Sequence, residues 1–126
     1  MVPRILIVDD ELDFIELVRY RLAGLGSEFI VANNRVEALS QARQFKPDLI
    51  LLDILLPDLD GLSVCDILRR QPSTKKIPVI FMSALTSEVT RRTVAMQADD
   101  FFTKPLDLPR LVRRIADLLH HETVAE

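Results

Sequence analysis

A doubly wound α/β domain with a parallel sheet follows from three features of this 126-residue chain. Short apolar runs are unbroken rather than alternating, helix-period stripes lie between them, and prolines mark the returns from helix to strand. Unbroken runs of this kind suit strands covered on both faces, as in a parallel sheet. The strand candidates are 5–8, the weaker 28–32, 49–52, 78–82 and 101–103. Four stripes between and after them have helical spacing. They are Phe14, Leu17, Val18, Leu22 and Leu25; Val36, Leu39, Ala42 and Phe45; Val64, Cys65 and Leu68; and Leu108, Leu111, Val112, Ile115, Leu118 and Leu119. The segment 86–97 is the poorest helix candidate, with Thr86, Thr90 and Thr93 and a thin stripe of Val89 and Val94. Strand then helix, repeated five times, predicts five strands, five helices and right-handed crossovers. Pro47, Pro78 and the Gln71-Pro72 step act as breakers. Neither a linker nor a low-complexity stretch is visible, so residues 1–126 read as one domain.

Composition narrows the function classes. Hydrophobic residues are 48% and charged residues 28%, which excludes a disordered chain. A lone cysteine, Cys65, excludes a disulfide framework and a cysteine-based zinc site. No apolar run approaches the roughly 18 residues of a membrane span, and residues 1–4 lead straight into a strand candidate. A soluble cytoplasmic protein is therefore expected. Lys plus Arg is 16 against 19 for Asp plus Glu, a net charge of -3 that argues against non-specific nucleic-acid binding.

The polar residues at the strand ends carry the chemistry. In such sheets ligands bind at the carboxyl ends of the strands. Asp9, Asp10 and Glu11 follow the first strand, Asp53 the third, Ser83 the fourth and Lys104 the fifth. Asn33 and Asn34 end the second, which suits a strand outside that cluster. Carboxylates gathered at one edge need a counter-charge, and a hard divalent cation supplies one. A carboxylate is also a covalent nucleophile toward phosphate, and Lys104 and Ser83 are suitable partners for phosphoryl oxygens.

Four motifs carry a resemblance to the receiver domain of bacterial two-component response regulators, similar to the chemotaxis regulator. They are Ile5-Leu6-Ile7-Val8-Asp9-Asp10-Glu11, the run from Leu52-Asp53 through Pro57 to Asp60-Gly61, Ser83-Ala84, and Asp99-Asp100-Phe101-Phe102-Thr103-Lys104-Pro105. The resemblance implies a flavodoxin-like sheet of order 2-1-3-4-5. It implies Asp53 as the acceptor of a phosphoryl group from a histidine kinase or phosphotransfer protein. Mg²⁺ would be bound by Asp10, Asp9, Asp53 and the backbone carbonyl of Leu55. Ser83 and Lys104 would meet the phosphoryl group, with the Lys104–Pro105 bond cis. Ser83 and Phe101 would switch, and the fourth helix, fifth strand and fifth helix would form the output face. Self-phosphorylation from small donors and slow self-dephosphorylation are the only activities implied. Leu55 and Leu85, both apolar, would flank the path of water to the acyl phosphate and cannot orient it.

Plainer readings apply elsewhere. Asp58 and Asp60 suit a turn around Gly61, Cys65 suits packing, and Arg110, Arg113 and Arg114 suit a solvated face more than a docking patch. Gln97, Arg35 and Leu106 depart from the family pattern, which favours Gly, Gly and Phe there. Arg110 stands where a subfamily that dimerises through the output face carries Glu. The rival reading is an interaction module independent of phosphorylation. No output domain is visible, so DNA binding by this chain is not expected, and its output partner is not legible.

Overall fold

The computed structural model describes residues 2–53, 61–83, 99–103 and 107–124. Strands β1 (Arg4–Val8), β2 (Glu28–Ala32), β3 (Leu49–Asp53), β4 (Val79–Ser83) and β5 (Asp100–Thr103) form one sheet in the order β2-β1-β3-β4-β5. Every pairing is parallel. The helices are α1 (Leu12–Leu22), α2 (Arg35–Phe45), α3 (Gly61–Arg70) and α4 (Leu108–Val124). The expected sheet and order are found, but the helix count is corrected: the described residues form four α-helices, not five. The segment 86–97, which supplied the extra helix on its thin stripe, lies outside the described residues. A short 3₁₀ turn, Ala23–Leu25, follows α1 and closes on Gly26 at φ 68.

The two-sided burial expected of the apolar runs is met. Leu6, Val8, Ile50, Leu52, Val79 and Phe81 face a cluster completed by Ala38, Leu39 and Ala42 of α2 and Val64, Cys65 and Leu68 of α3. Their neighbours Ile5, Ile7, Leu49, Leu51, Ile80 and Met82 face the opposite cluster, completed by Ile15, Val18 and Leu22 of α1 and Leu111 and Ile115 of α4. Each such side chain contributes about 1.5–3 kcal/mol on leaving water.

Two helix stripes are set differently from expectation. Leu17 is exposed, because α1 docks through Ile15, Val18 and Leu22, a register that turns residue 17 outward. Val36 and Phe45 are also exposed. Helix α2 lies on the sheet through Ala38, Leu39 and Ala42; the expected stripe shares Leu39 and Ala42 with that face, but its ends Val36 and Phe45 turn outward and Ala38 takes their place.

Polar contacts fix the ends. Asn34 caps α2: its Oδ1 accepts the Glu37 N–H at 3.0 Å, and its Nδ2 donates to Glu37 Oε1 at 2.9 Å. Nothing at Arg35 requires glycine, since Lys46 is the only non-glycine residue with positive φ among the described residues. The basic residues of α4 are partly committed within the chain. Arg114 Nε lies 2.8 Å from Asp100 Oδ2, and the Arg110 guanidinium sits 4.9 Å from the Phe102 ring centre. Arg113 remains exposed.

Burial pushes the Cys65 thiol above its ordinary range. Arg69 beside it pulls the other way, while Asp99 and Asp66 push up again. The unfolded thiol therefore ionises first. The stability this contributes is full below the ordinary thiol pKa of about 8.5 and is lost as pH rises through the folded value. A thiol reagent at mildly alkaline pH should label Cys65 at the rate of unfolding; labelling faster than unfolding would contradict its burial. Lys46, at φ 46, ends α2 in the left-handed region before Pro47. Lys46→Gly should raise stability by about 0.5–1 kcal/mol by removing the Cβ penalty, and an unchanged urea midpoint would contradict this.

Candidate functional site

The site begins where β1 and β3 run out of apolar residues. Val8 is paired in register with Leu52, so the next residues of the two strands are Asp9 and Asp53. Asp9 is fully buried and Asp53 is 5% exposed, while Asp10 and Glu11 reach solvent. One carboxylate oxygen from each of Asp9, Asp10, Glu11 and Asp53 lies within 4.8 Å of all the others.

The turn that carries three of these acids is held on several sides. The Asp9 N–H donates to Ala32 O at the end of β2, at 3.1 Å. The Asp9 carbonyl accepts from Asn33 Nδ2 at 3.3 Å, and Asp9 Oδ1 accepts the Glu11 N–H at 2.9 Å. Ile15 N–H then donates to Glu11 O, which starts α1. Residue 11, not Asp10, occupies the N-cap, and its side chain makes no capping bond.

Four oxygen-donor carboxylates, two of them buried, are a donor set for a hard divalent cation. Like charges so close raise one another's energy, and a dication between them removes that cost.

Of the sequence-predicted site residues, the structure brings together Asp9, Asp10 and Asp53. Ser83 ends β4, in register with Thr103, so it lies at the same edge of the sheet. Phe101 is half-buried against the α2–α3 cluster. Leu55, Lys104, Pro105, Leu85, Gln97, Leu106, Asp58 and Asp60 lie outside the described residues. Glu11 joins the carboxylate group without having been singled out as a ligand. Asn33 was also passed over, yet it touches the site. The parallel pairing of β2 with β1, Ala32 opposite Val8, is the signal that would have found it.

Residues 5–116 match the family model of the response regulator receiver domain. This chain belongs to that family. The receiver is 36% identical over 126 residues to the alkaline phosphatase synthesis transcriptional regulatory protein PhoP of Bacillus subtilis, covering 99% of this chain and 52% of PhoP. The chain spans about half the length of the first relatives it matches. Among solved structures, it superposes on the receiver domain of the Francisella response regulator 1452 with TM-score 0.86 and 30% identity, covering 95% of this chain and 98% of that one. The signal receiver domain of a histidine kinase from Syntrophus aciditrophicus gives TM-score 0.86 and 33% identity, with coverages of 95% and 92%. Receivers are the phosphoacceptor modules of two-component signalling, and the acidic cluster of this one is the part suited to metal-dependent phosphoryl transfer. No helix among the described residues is long and apolar enough to cross a membrane.

The carboxylate cluster sets a stability trade. In chelator at low salt, Asp10→Asn should stabilise the receiver by about 0.5–1 kcal/mol through relief of repulsion. If the cluster holds a divalent cation, Mg²⁺ should raise the Tm of the parent, and the same variant should lose most of that rise. Equal Mg²⁺-dependent shifts in both proteins would place the cation elsewhere.

Proposed function

We propose that Asp53 accepts a phosphoryl group from a histidine kinase or a phosphotransfer protein, at a Mg²⁺ site formed by Asp9, Asp10, Asp53 and the backbone carbonyl of Leu55. The observation that carries this reading is the meeting of four carboxylates within 4.8 Å, with Asp53 almost wholly buried at the end of β3. Mg²⁺, when bound, supplies the positive charge that lets an anionic phosphodonor approach this acidic edge.

The chain's own residues do the rest. Asp53, anchored by a strand buried along its length, presents a carboxylate oxygen in a fixed position. That oxygen attacks phosphorus and forms an acyl phosphate, while the bond to the donor's nitrogen or oxygen breaks and the donor keeps the electron pair. Ser83, at the end of β4, and Lys104, which follows β5 in the sequence, donate to the phosphoryl oxygens. Ser83 then draws toward the phosphoryl group, and Phe101 moves further inward. This change reaches an output partner through the β5 and α4 side of the domain. The Arg114–Asp100 pair and the Arg110–Phe102 stack lie on that side.

Intact mass after incubation with Mg²⁺ and acetyl phosphate tests the assignment. A single phosphoryl adduct is expected on the parent protein, and none without Mg²⁺ or in Asp53→Asn. An adduct that persists in Asp53→Asn would move the acceptor to another residue. No adduct on the parent despite measured Mg²⁺ binding would make the domain an interaction module.

A further inference from the structure

Asn33 sits on the edge strand's exit, outside the carboxylate cluster, and its side chain is exposed. It nonetheless donates from Nδ2 to the carbonyl of Asp9 at 3.3 Å, a contact across 24 positions of sequence. The peptide group before it is also held, since the Asp9 N–H donates to Ala32 O at 3.1 Å. Residues 32 and 33 therefore grip both backbone groups of Asp9.

The grip has a rigid base. Asn33 directly precedes Asn34, whose side chain exchanges two hydrogen bonds with Glu37 in a reciprocal cap of α2. Helix α2 is in turn seated on the core through Ala38, Leu39 and Ala42. The path from the core to the acidic turn thus runs through α2, its cap, Asn33 and the Asp9 carbonyl. Asp9 commits Oδ1 to the Glu11 N–H, so the backbone position of Asp9 also sets where Asp10 and Glu11 stand relative to Asp53.

We propose that Asn33 is a positioning residue for the cation site: it fixes the β1–α1 turn against β3, so that the carboxylates of Asp9 and Asp10 meet Asp53 at metal-binding distance. This rests on the reading of the cluster as a Mg²⁺ site. Asn33 itself touches neither the cation nor the phosphoryl group. Its contribution is that the three acids need not be ordered when the cation arrives.

Direct Mg²⁺ titration by calorimetry, together with amide exchange, tests this on the parent, Asn33→Ala, Asn34→Ala and Gln41→Ala. Gln41 is the control, because its Nε2 donates to Val31 O at 3.1 Å and ties α2 to β2 two residues before Asn33, without touching Asp9. Loss of a group that orients a ligand should weaken Mg²⁺ binding by about tenfold in Asn33→Ala, against a change within about twofold in Gln41→Ala. Asn34→Ala should fall between them, since it loosens the base but keeps the donor. The Glu11 amide, bonded to Asp9 Oδ1, should exchange faster in Asn33→Ala and not in Gln41→Ala. Phosphorylation of Asn33→Ala should recover at saturating Mg²⁺. Equal Mg²⁺ affinity in the parent and Asn33→Ala, or equal losses in Asn33→Ala and Gln41→Ala, would overturn the role of Asn33. Absence of Mg²⁺ binding in the parent would overturn the metal reading itself, and this inference with it.

Discussion

The pairing register of β1 against β3 decides where the acids stand. Ile5 through Val8 lie opposite Leu49 through Leu52 in parallel, and all eight side chains are fully buried. Alternate residues feed the two clusters on opposite faces of the sheet. A slip of one residue would send every side chain of β1 to the wrong face. It would also carry Asp9 about 3.3 Å along the strand relative to Asp53. The apolar core therefore fixes where β1 and β3 deliver their acids, and the polar contacts at the edge set the turn that follows β1.

This arrangement explains why mutual repulsion can be tolerated. Four carboxylates within 4.8 Å work against folding, but they follow or end runs of fully buried residues, 5–8 and 49–52. Burial supplies a driving force that is indifferent to charge. The turn is then trimmed by directed bonds from Ala32, Asn33 and the Glu11 amide. A cation or a phosphoryl group changes the electrostatics of this edge without touching the contacts that hold the strands together.

Much of this was legible in the chain. Unbroken runs such as residues 49–52 announce two-sided burial, and acids directly after them, such as Asp53, announce a site at the sheet's carboxyl edge. The strand order came with the family resemblance, because periodicity says which segments are strands but not which are neighbours. That limit also hid Asn33, whose role depends on β2 lying beside β1. Helix faces were legible where large residues form the stripe, as in α4. They were partly misjudged in α2, where Leu39 and Ala42 were read correctly but Ala38 makes the contact assigned to Val36 and Phe45, and in α1, where Leu17 shares the hydrophobicity of its neighbours but not their direction. Glu11 was placed at the same edge but not among the ligands, because its closeness to Asp53 arises from the fold of the turn.

The two edges of the sheet handle charge in opposite ways. At the amino edge every acid described is matched locally. Asp48 accepts the Arg4 N–H at 2.8 Å, and Glu28 pairs with the Arg4 side chain. Asp99 takes both the Val79 N–H and the Arg69 guanidinium, which also reaches the carbonyls of Lys75 and Ile77. Arg69 thereby ties the end of α3 to the starts of β4 and β5. Balanced charge and backbone pairing make that edge a fixed base. At the carboxyl edge the acids are gathered together, so adding or removing charge there changes the free energy of the domain most. Strands β4 and β5 connect the two edges, with their lower ends held by Arg69 and Asp99 and Ser83 at the upper end of β4. The lower ends of these strands are thus held by directed polar contacts, while the charge that a ligand could neutralise stands at the carboxyl edge of the sheet.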